Sequence, residues 1–340
     1  MKTISNLLES KTFLNYMLNR PGRKFLGDAI FPRKTIDTLS FEWVKGANNL
    51  PVMARVQPFG AEAAIMGRDG VSTVSGKIPV IKIKRSLDEE EYIKLKKFQN
   101  RGYDIPESVI RKIFDDVTAV FDSVENKIEY LRMQALCKGQ LDFTNDGFVY
   151  SIDYLMPSEN KPTVATLWSD TTNSDPENDI YTWVSMVIEK GGPQPTKAVT
   201  SLKVVNYLLR NVNLRKAIFG VNSDRLLDLG TLNNYFKSKG LPSITHYDLQ
   251  ARDLAGNTVR FFDENKFVLL PGNGVAGDTL VGPTAEALLE DAGKKKKELK
   301  GITVVQWEST EPVSLWTKAA AAQIPSMPYA DYTVSATVIA

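Results

Sequence analysis

The chain of 340 residues has a single cysteine, Cys137, and a single histidine, His246. One cysteine excludes an internal disulfide framework and cysteine-rich metal sites, and it suits a reducing compartment. One histidine on its own cannot build a metal site from several imidazoles. A His–Cys or Ser–His catalytic pair would have to use this one position. A catalytic site that depends on cysteine or histidine is therefore limited to Cys137 and His246.

Long hydrophobic runs and an excess of either charge are also missing. No stretch of 18 apolar residues occurs, so the sequence predicts no transmembrane helix. The 42 Lys and Arg side chains nearly balance the 40 Asp and Glu side chains. The totals therefore give no indication of a basic surface for nucleic acid. A hydrophobic share of 43% with 24% charged residues is ordinary globular composition.

The first twenty residues favour an amphipathic helix that ends at Pro21-Gly22. Polar residues interrupt its apolar positions, so the continuous apolar stretch of a secretory signal is missing. We therefore expect the protein to be made and kept in a cytoplasm. The apolar residues at helical spacing are Ile4, Leu7, Leu8, Leu14, Met17 and Leu18.

Residues 267–277, FVLLPGNGVAG, have the glycine spacing of a dinucleotide-binding loop, with Gly272, Gly274 and Gly277 as G-x-G-x-x-G. Such a loop opens directly into a helix, and an acidic ribose ligand follows about twenty residues later. Here the first convincing helix start is Pro283, and the run Lys294–Lys297 stands where the acidic residue belongs. We predict a structural loop. A nucleotide-binding enzyme that uses these glycines is the alternative from a different functional class.

Three other stretches resemble ligand or catalytic sites but lack the spacing or the residues that those sites require. Residues 70–77, GVSTVSGK, have five residues between the glycines where a P-loop has four. Residues 142–153 resemble a calcium loop, but Thr144 lacks a carboxylate, and the alternation after it favours a β-hairpin. His246 is accompanied by no G-x-S-x-G nucleophile motif. We therefore predict no catalytic residue, no cofactor and no metal, and we expect Cys137 to be a small core residue.

Residues 41–85 are predicted to form an extended β-hairpin. The stretch from Leu50 to Ser86 is rich in β-branched residues, glycine and proline, and Arg68-Asp69-Gly70 is a turn signal. Isolated hairpins are marginal in water, so we expect this one to lie on a neighbouring subunit. Ser86-Leu87-Asp88-Glu89 then reads as a capping box that opens a helix. The returning arm of the hairpin is expected to contain Val80, Ile81 and Ile83.

A single long helix of about thirty residues is predicted between Pro106 and Gly139, roughly 45 Å at 1.5 Å per residue. Its length suggests a support along one side of an elongated subunit. Its apolar stripe contains Ile110, Ile113, Val117, Val120, Val124, Ile128, Leu131 and Ala135.

The remaining elements give an α+β order and no steady β-α-β alternation. A hairpin is expected over residues 141–155, and Asp175-Pro176 predicts a helix start. Helices are expected near 197–211 and 223–239, the second capped by Ser223 and stopped by Gly240. Strands are expected at Thr258–Phe262, Lys266–Leu270, Thr303–Trp307 and Thr333–Ile339.

Four stretches in this order resemble the major capsid proteins of lambda-like tailed bacteriophages, the phage major capsid protein E family. PVMARVQPFGAEAAIMGRDG at 51–70 resembles the family's extended loop, and EYLRMQALCKG at 129–139 resembles the end of its spine helix. FVLLPGNGVAGDTLVGPTAE at 267–286 is similar to its strand and glycine loop. PSMPYADYTVSATV at 325–338 is similar to its closing turn and last strand.

The resemblance implies a Hong Kong-type tailed-phage capsid fold and a protein without enzymatic activity. The implied division is an N-terminal arm (1–40), an extended loop (41–85) and a peripheral domain with the spine helix (86–155). A mostly axial domain (156–300) and C-terminal strands that return to the peripheral domain (301–340) complete it. The implied product is a virion shell of hexamers and pentamers around double-stranded DNA, assembled in the host cytoplasm.

The resemblance also implies partners and a contact surface. A separate scaffolding protein and a portal are expected, with a decoration protein as an optional partner, non-specific contact with packaged DNA and no membrane. A bacterial compartment shell of the encapsulin type would share the fold and is the related alternative. The predicted assembly interface contains Phe59, Ile65, Met66, Arg68, Asp69 and Val71.

Overall fold

The computed structural model describes residues 23–45, 72–100, 107–145, 148–221, 225–289, 295–311 and 313–340. The predicted N-terminal helix and the turn at Arg68-Asp69-Gly70 lie outside these ranges. The strands are β1 (Arg33–Thr35), β2 (Ser40–Lys45), β3 (Ser72–Lys77), β4 (Val80–Ser86), β5 (Gln140–Asn145), β6 (Phe148–Asp153), β7 (Lys197–Thr200), β8 (Ser243–His246), β9 (Gln250–Arg252), β10 (Thr258–Arg260), β11 (Lys266–Leu270), β12 (Thr279–Gly282), β13 (Lys295–Leu299), β14 (Ile302–Thr310), β15 (Val313–Pro325) and β16 (Val334–Thr337). The helices are α1 (Gly27–Ile30), α2 (Glu89–Asn100), α3 (Glu107–Lys138), α4 (Pro176–Glu189), α5 (Leu202–Arg210), α6 (Val212–Phe219), α7 (Leu229–Ser238) and α8 (Ala285–Leu288).

The larger sheet is organised around β15. One edge of β15 pairs antiparallel with β14, and β13 continues the sheet beyond β14. The other edge pairs first with β4 and then with β12, and β1 lies parallel to β12. Strands that are distant in sequence therefore meet on a single 13-residue strand.

The long helix α3 packs its apolar stripe on this sheet, as the sequence predicts. Val117 and Val124 are fully buried, and the core they share with Leu87 includes Ile302 and Ala319 from the sheet. The helix ends at Lys138, where Gly139 takes a positive φ of 67°. The stripe residues with little exposed surface are Ile113, Val117, Val120, Val124, Ile128, Leu131 and Ala135.

A second core lies between the four-stranded sheet β16-β11-β7-β8 and helices α4 to α7. Its aromatic centre is Trp168, whose ring lies 5.1 Å from Phe267 and 5.9 Å from Trp183. The carboxylate of Asp175 caps α4, with Pro176 at its first position, which confirms the predicted start of that helix. The strand predicted at Lys266–Leu270 is confirmed as β11.

The structure corrects the expected returning arm of the hairpin. The strand that pairs with β2 is β3, in a register that joins Ser40 to Lys77 and Lys45 to Ser72. Val80, Ile81 and Ile83 instead belong to β4 and pair with β15. The Leu87 amide donates to the Leu315 carbonyl, so sheet pairing holds the chain through Ser86. The helix α2 consequently starts at Glu89, and the predicted capping box at Ser86 is wrong.

Two further predictions needed correction. Lys197–Thr200 forms β7, and helix α5 begins only after Ser201, whose hydroxyl caps it. Helix α7 begins at Leu229 with Asp228 as its cap, so the predicted cap at Ser223 is wrong; Ser223 itself lies outside the described residues.

Candidate assembly site

The root of the predicted extended loop is held by aromatic packing. Phe41 stacks on Trp43 with ring centroids 5.0 Å apart, and Trp43 stacks on Tyr154 at 5.9 Å. Gly76 lies opposite Phe41 in the β2–β3 ladder, and a side chain there would collide with the Phe41 ring. The Tyr150 hydroxyl donates to the Lys77 carbonyl at 2.6 Å. Both strands that lead into and out of residues 46–71 are thereby fixed to the body of the subunit.

The six predicted interface residues all lie between these two strands. Phe59, Ile65, Met66, Arg68, Asp69 and Val71 are outside the described residues.

A buried ionic cluster joins the N-terminal part of the chain to the long helix. The Glu129 carboxylate is fully buried, and its Oε1 accepts hydrogen bonds from the Gly27 amide at 2.9 Å and the Tyr247 hydroxyl at 2.6 Å. Arg132 Nη1 donates to Glu129 Oε2 at 3.3 Å. Burial raises the pKa of Glu129, and the contacts with Tyr247, Arg132 and Gly27 offset only part of that effect.

Arg33 completes the cluster at its edge. Its guanidinium donates to Asp28 at 2.6 Å and to Glu125 at 2.7 Å. Burial raises the pKa of Asp28, but Arg33 and Arg132 outweigh it and bring that pKa below its usual value. Lys300 lies 3.6 Å from Glu125 and 3.7 Å from Asp28. The cluster therefore ties α1 and β1 to α3.

This cluster was not predicted from the sequence, although the spacing of its residues on α3 carries part of the signal. Glu125, Glu129 and Arg132 lie at i, i+4 and i+7 on α3, so they share one face of the helix. That face adjoins the apolar stripe. Charged residues at such positions need partners because an unpaired buried charge is costly. The partners Gly27 and Tyr247 lie more than 100 positions away in sequence, so only the fold could identify them.

The glycine loop has the geometry of a tight connection. Gly272 and Gly274 take positive φ values of 41° and 91°, which side chains disfavour. Gly277 has no such φ, but a methyl group there would overlap the carbonyl oxygen of Ser326. The Asp278 carbonyl accepts from the Ser326 amide at 2.7 Å, so the loop is bound to the segment after β15. The chain then enters β12, and no helix opens directly at the loop.

The other residues considered in the sequence do not converge on a site. Cys137 is fully buried, and burial raises the pKa of its thiol. His246 is exposed at the end of β8. The predicted hairpin at 141–155 is confirmed as β5 and β6. Across the described ranges no three His, Cys, Asp or Glu side chains are grouped as metal ligands, and no helix there is long and apolar enough to cross a membrane.

Three solved structures of capsid or phage-related proteins share this fold. A prophage capsid protein structure from Escherichia coli CFT073 superposes with a TM-score of 0.61 at 18% identity, covering 97% of this chain and 99% of that chain. A phage-related protein from Bordetella bronchiseptica RB50 gives 0.58 at 11% identity, covering 96% of each chain. The capsid asymmetric unit of cyanophage A-1(L) gives 0.53 at 13% identity, covering 98% of this chain and 99% of that chain. These likenesses confirm the predicted α+β Hong Kong-type fold.

No curated protein matches the chain in sequence. The family model of phage major capsid protein E matches residues 15–338. This match favours neither a compartment shell nor a nucleotide-binding enzyme, and the family's role is structural. The chain belongs to the phage major capsid protein E family and is a shell protein of a tailed-bacteriophage capsid.

Proposed function

We propose that the subunit forms hexamers and pentamers that tile an icosahedral shell around a double-stranded DNA genome. Assembly takes place in the host cytoplasm, with a scaffolding protein and a portal as separate partners and a decoration protein as an optional one. Contact with the packaged DNA is non-specific, as the family of the chain implies. The observation that carries the proposal is the fixed root of the extended loop, taken together with the family of the chain.

The extended loop is the contact element in this proposal. Residues 46–71 leave from Lys45 and return at Ser72, which are partners in the β2–β3 ladder. Two strands cannot bury both faces by themselves, so the loop lies across an adjacent subunit of the same capsomer. Phe59, Ile65 and Met66 bury against that neighbour, each contributing on the order of 1.5–3 kcal/mol if fully covered. Arg68, Asp69 and Val71 complete the contact.

Two cores support the proposed division of the subunit. The core between α3 and the larger sheet fits a peripheral domain, and the core around Trp168 fits an axial domain. The arm is assigned to residues 1–40, the loop to 41–85, the peripheral part to 86–155, the mostly axial part to 156–300 and the closing strands to 301–340. Within 156–300, β12 and β13 pair in the larger sheet. β14 and β15 lie in the larger sheet, whereas β16 pairs with β11 in the four-stranded sheet.

The glycine loop is assigned a structural role in the same proposal. Gly272 and Gly274 supply the positive φ values, and Gly277 allows close approach to Ser326. The purified subunit is expected to bind neither NAD, FAD nor ATP at micromolar concentration in equilibrium dialysis. Binding that Gly274→Val abolishes would overturn this assignment.

The experiment for the shell is a loop replacement that keeps the root. Residues 48–69 are replaced by a short Gly-Ser turn, so that β2 and β3 and their aromatic packing stay intact. Far-UV circular dichroism should match the wild type, while negative-stain microscopy should show few closed particles. Closed shells at wild-type yield would refute the loop as an assembly element.

A pair of point variants provides a matched control inside the loop. Phe59→Asp introduces a charge at a predicted apolar contact and should reduce the yield of shells. Gln57→Asp introduces the same charge at a residue that is already polar and should assemble normally. Equal yields from the two variants would argue against an apolar contact at Phe59.

A further inference from the structure

A groove of about 680 Å³ lies between β4, the middle of α3 and the β9–β10 hairpin. Its walls are largely apolar and include Ile81, Tyr130, Phe143 and Val259. Val80 and Leu254 also line it, yet they are 45% and 95% exposed. Apolar surface of this kind favours the binding of another apolar segment, because removing it from water contributes roughly 25 cal/mol per Å² to the contact.

The N-terminal end of the described chain lies at the rim of this groove. Arg23 Nη1 donates to the Gln250 carbonyl at 2.9 Å, directly before Ala251, which lines the groove. The ring of Phe25 lies 6.4 Å from the ring of Phe261, another lining residue. Residues 1–22 therefore leave the described fold beside the groove.

Residues 1–22 have the sequence of an amphipathic helix, whose apolar face is suited to an apolar groove. Ile4, Leu7, Leu8, Leu14 and Leu18 fall on one helical face. An 18-residue helix would be about 27 Å long at 1.5 Å per residue, enough to follow a groove formed by three elements. A short amphipathic helix is marginal alone in water and gains its stability by packing that face.

We propose that residues 1–22 dock into this groove of their own chain as an amphipathic helix, with the leucine face toward β4, α3 and the β9–β10 hairpin. The tether at Arg23 favours the same chain over a second copy. It makes the contact intramolecular, with an effective concentration on the order of millimolar. The docked segment covers Val80 and Leu254 and shields the apolar walls of the groove in the free subunit.

Photo-cross-linking tests which segment occupies the groove. The photoreactive residue p-benzoylphenylalanine replaces Tyr130 in one sample and Leu254, at the exposed rim, in another, so that one misfolded variant does not decide the result. After irradiation of unassembled subunits, mass spectrometry should find links to peptides within residues 1–22. Links to residues 46–71, or no link from either position, would overturn the proposal.

Mixing subunits labelled with nitrogen-14 and nitrogen-15 decides whether the contact is within one chain. Links that join only peptides of the same isotope support docking in the same chain. Mixed-isotope links would assign the groove to a second copy and overturn the proposal.

A matched pair of variants tests the direction of the helix face. Leu7→Asp charges the leucine face, whereas Asn6→Asp adds the same charge on the opposite face. In hydrogen–deuterium exchange, Leu7→Asp should speed exchange of residues 251–259 about tenfold, the usual sign of lost local protection. Asn6→Asp should leave that exchange unchanged, and residues 204–208 in the second core should not respond to either variant. Equal behaviour of the two variants in residues 251–259 would overturn the proposal.

Discussion

Replacing Arg132 by methionine should destabilise the free subunit more than any other single change in the ionic cluster. The Arg132 side chain is 1% exposed, and it donates to Asp28 at 2.8 Å, to Glu129 at 3.3 Å and to the Thr279 hydroxyl at 2.8 Å. Methionine keeps much of the volume and removes the charge. Glu129 would then remain fully buried without its cation. Breaking a buried ion pair from one side costs about 3–5 kcal/mol.

A loss of this size is a large fraction of the free energy of unfolding of a folded domain, which is about 5–15 kcal/mol. The assay is urea unfolding of unassembled subunits at pH 7, followed by far-UV circular dichroism and extrapolated linearly to water. Lys300→Met is the matched control. Lys300 belongs to the same cluster, but it is 44% exposed and lies 3.6–3.7 Å from its carboxylates. Its removal should cost less than about 1 kcal/mol.

Two further measurements separate the lost charge pair from simple misfolding. The double variant Arg132→Met with Glu129→Gln should recover much of the loss, because Gln keeps the oxygen that accepts from Gly27 and Tyr247. Since burial raises the folded-state pKa of Glu129, protonation relieves the unpaired charge, so the deficit of Arg132→Met should narrow as pH falls. A loss below 1 kcal/mol for Arg132→Met, equal to that of Lys300→Met, would refute the reasoning.

Three other predictions follow from the described contacts. Val120→Asp places an unpaired charge in the buried stripe of α3 and should yield insoluble subunits, scored by the soluble fraction after expression. Gly277→Ala should lower the melting temperature of the subunit, because the methyl group would overlap the Ser326 carbonyl. Burial raises the pKa of Glu286, but hydrogen bonds from Lys318 and Lys82 outweigh it and bring the pKa to about 2. The stability from this carboxylate, on the order of 2 kcal/mol after screening, is present above pH 4.5 and is lost as pH falls toward 2. In urea unfolding, the free energy of unfolding of Glu286→Gln should fall less than that of the wild type as pH drops from 4.5 toward 2, so its acid limb is flatter.

The first two of these predictions have control variants, and the third has a result that would contradict it. Asp115→Ala changes an exposed position of α3 and should leave solubility normal, so equal insolubility would point away from the buried stripe. Gly220 has a φ of 90° with open space around it, so Gly220→Ala meets backbone strain alone, on the order of 1–3 kcal/mol, and should lower the melting temperature less than Gly277→Ala. For Glu286→Gln, an acid limb as steep as that of the wild type would contradict the assigned pKa.

The parts of the fold that were predicted correctly depend on residues close together in sequence. The periodic valines and isoleucines of α3 predict both the helix and its buried face, because side chains three and four positions apart share one side. Asp175-Pro176 predicts the start of α4 because capping uses backbone amides within three residues.

The errors arise where pairing between distant strands overrides a local signal. Ser86 has the pattern of a helix cap, but β15 holds it as the end of β4. The strand β15 itself was not predicted. It contains Ala319–Ala322, which have low strand propensity, and they are strand residues only because β14 and β4 flank them.

The sequence by itself determined the α+β class, the long helix and the restriction of any histidine- or cysteine-based catalytic pair to single positions, since these follow from composition and local periodicity. The order of its apolar and turn residues also determined the family. Only the tertiary structure decided that Glu129 meets Gly27 and Tyr247, and that β15 joins β4, β12 and β14. These contacts join residues more than 100 positions apart or select among several possible strand partners. No local pattern in the sequence encodes these pairings, because which residues meet depends on how well the side chains of the whole core pack together.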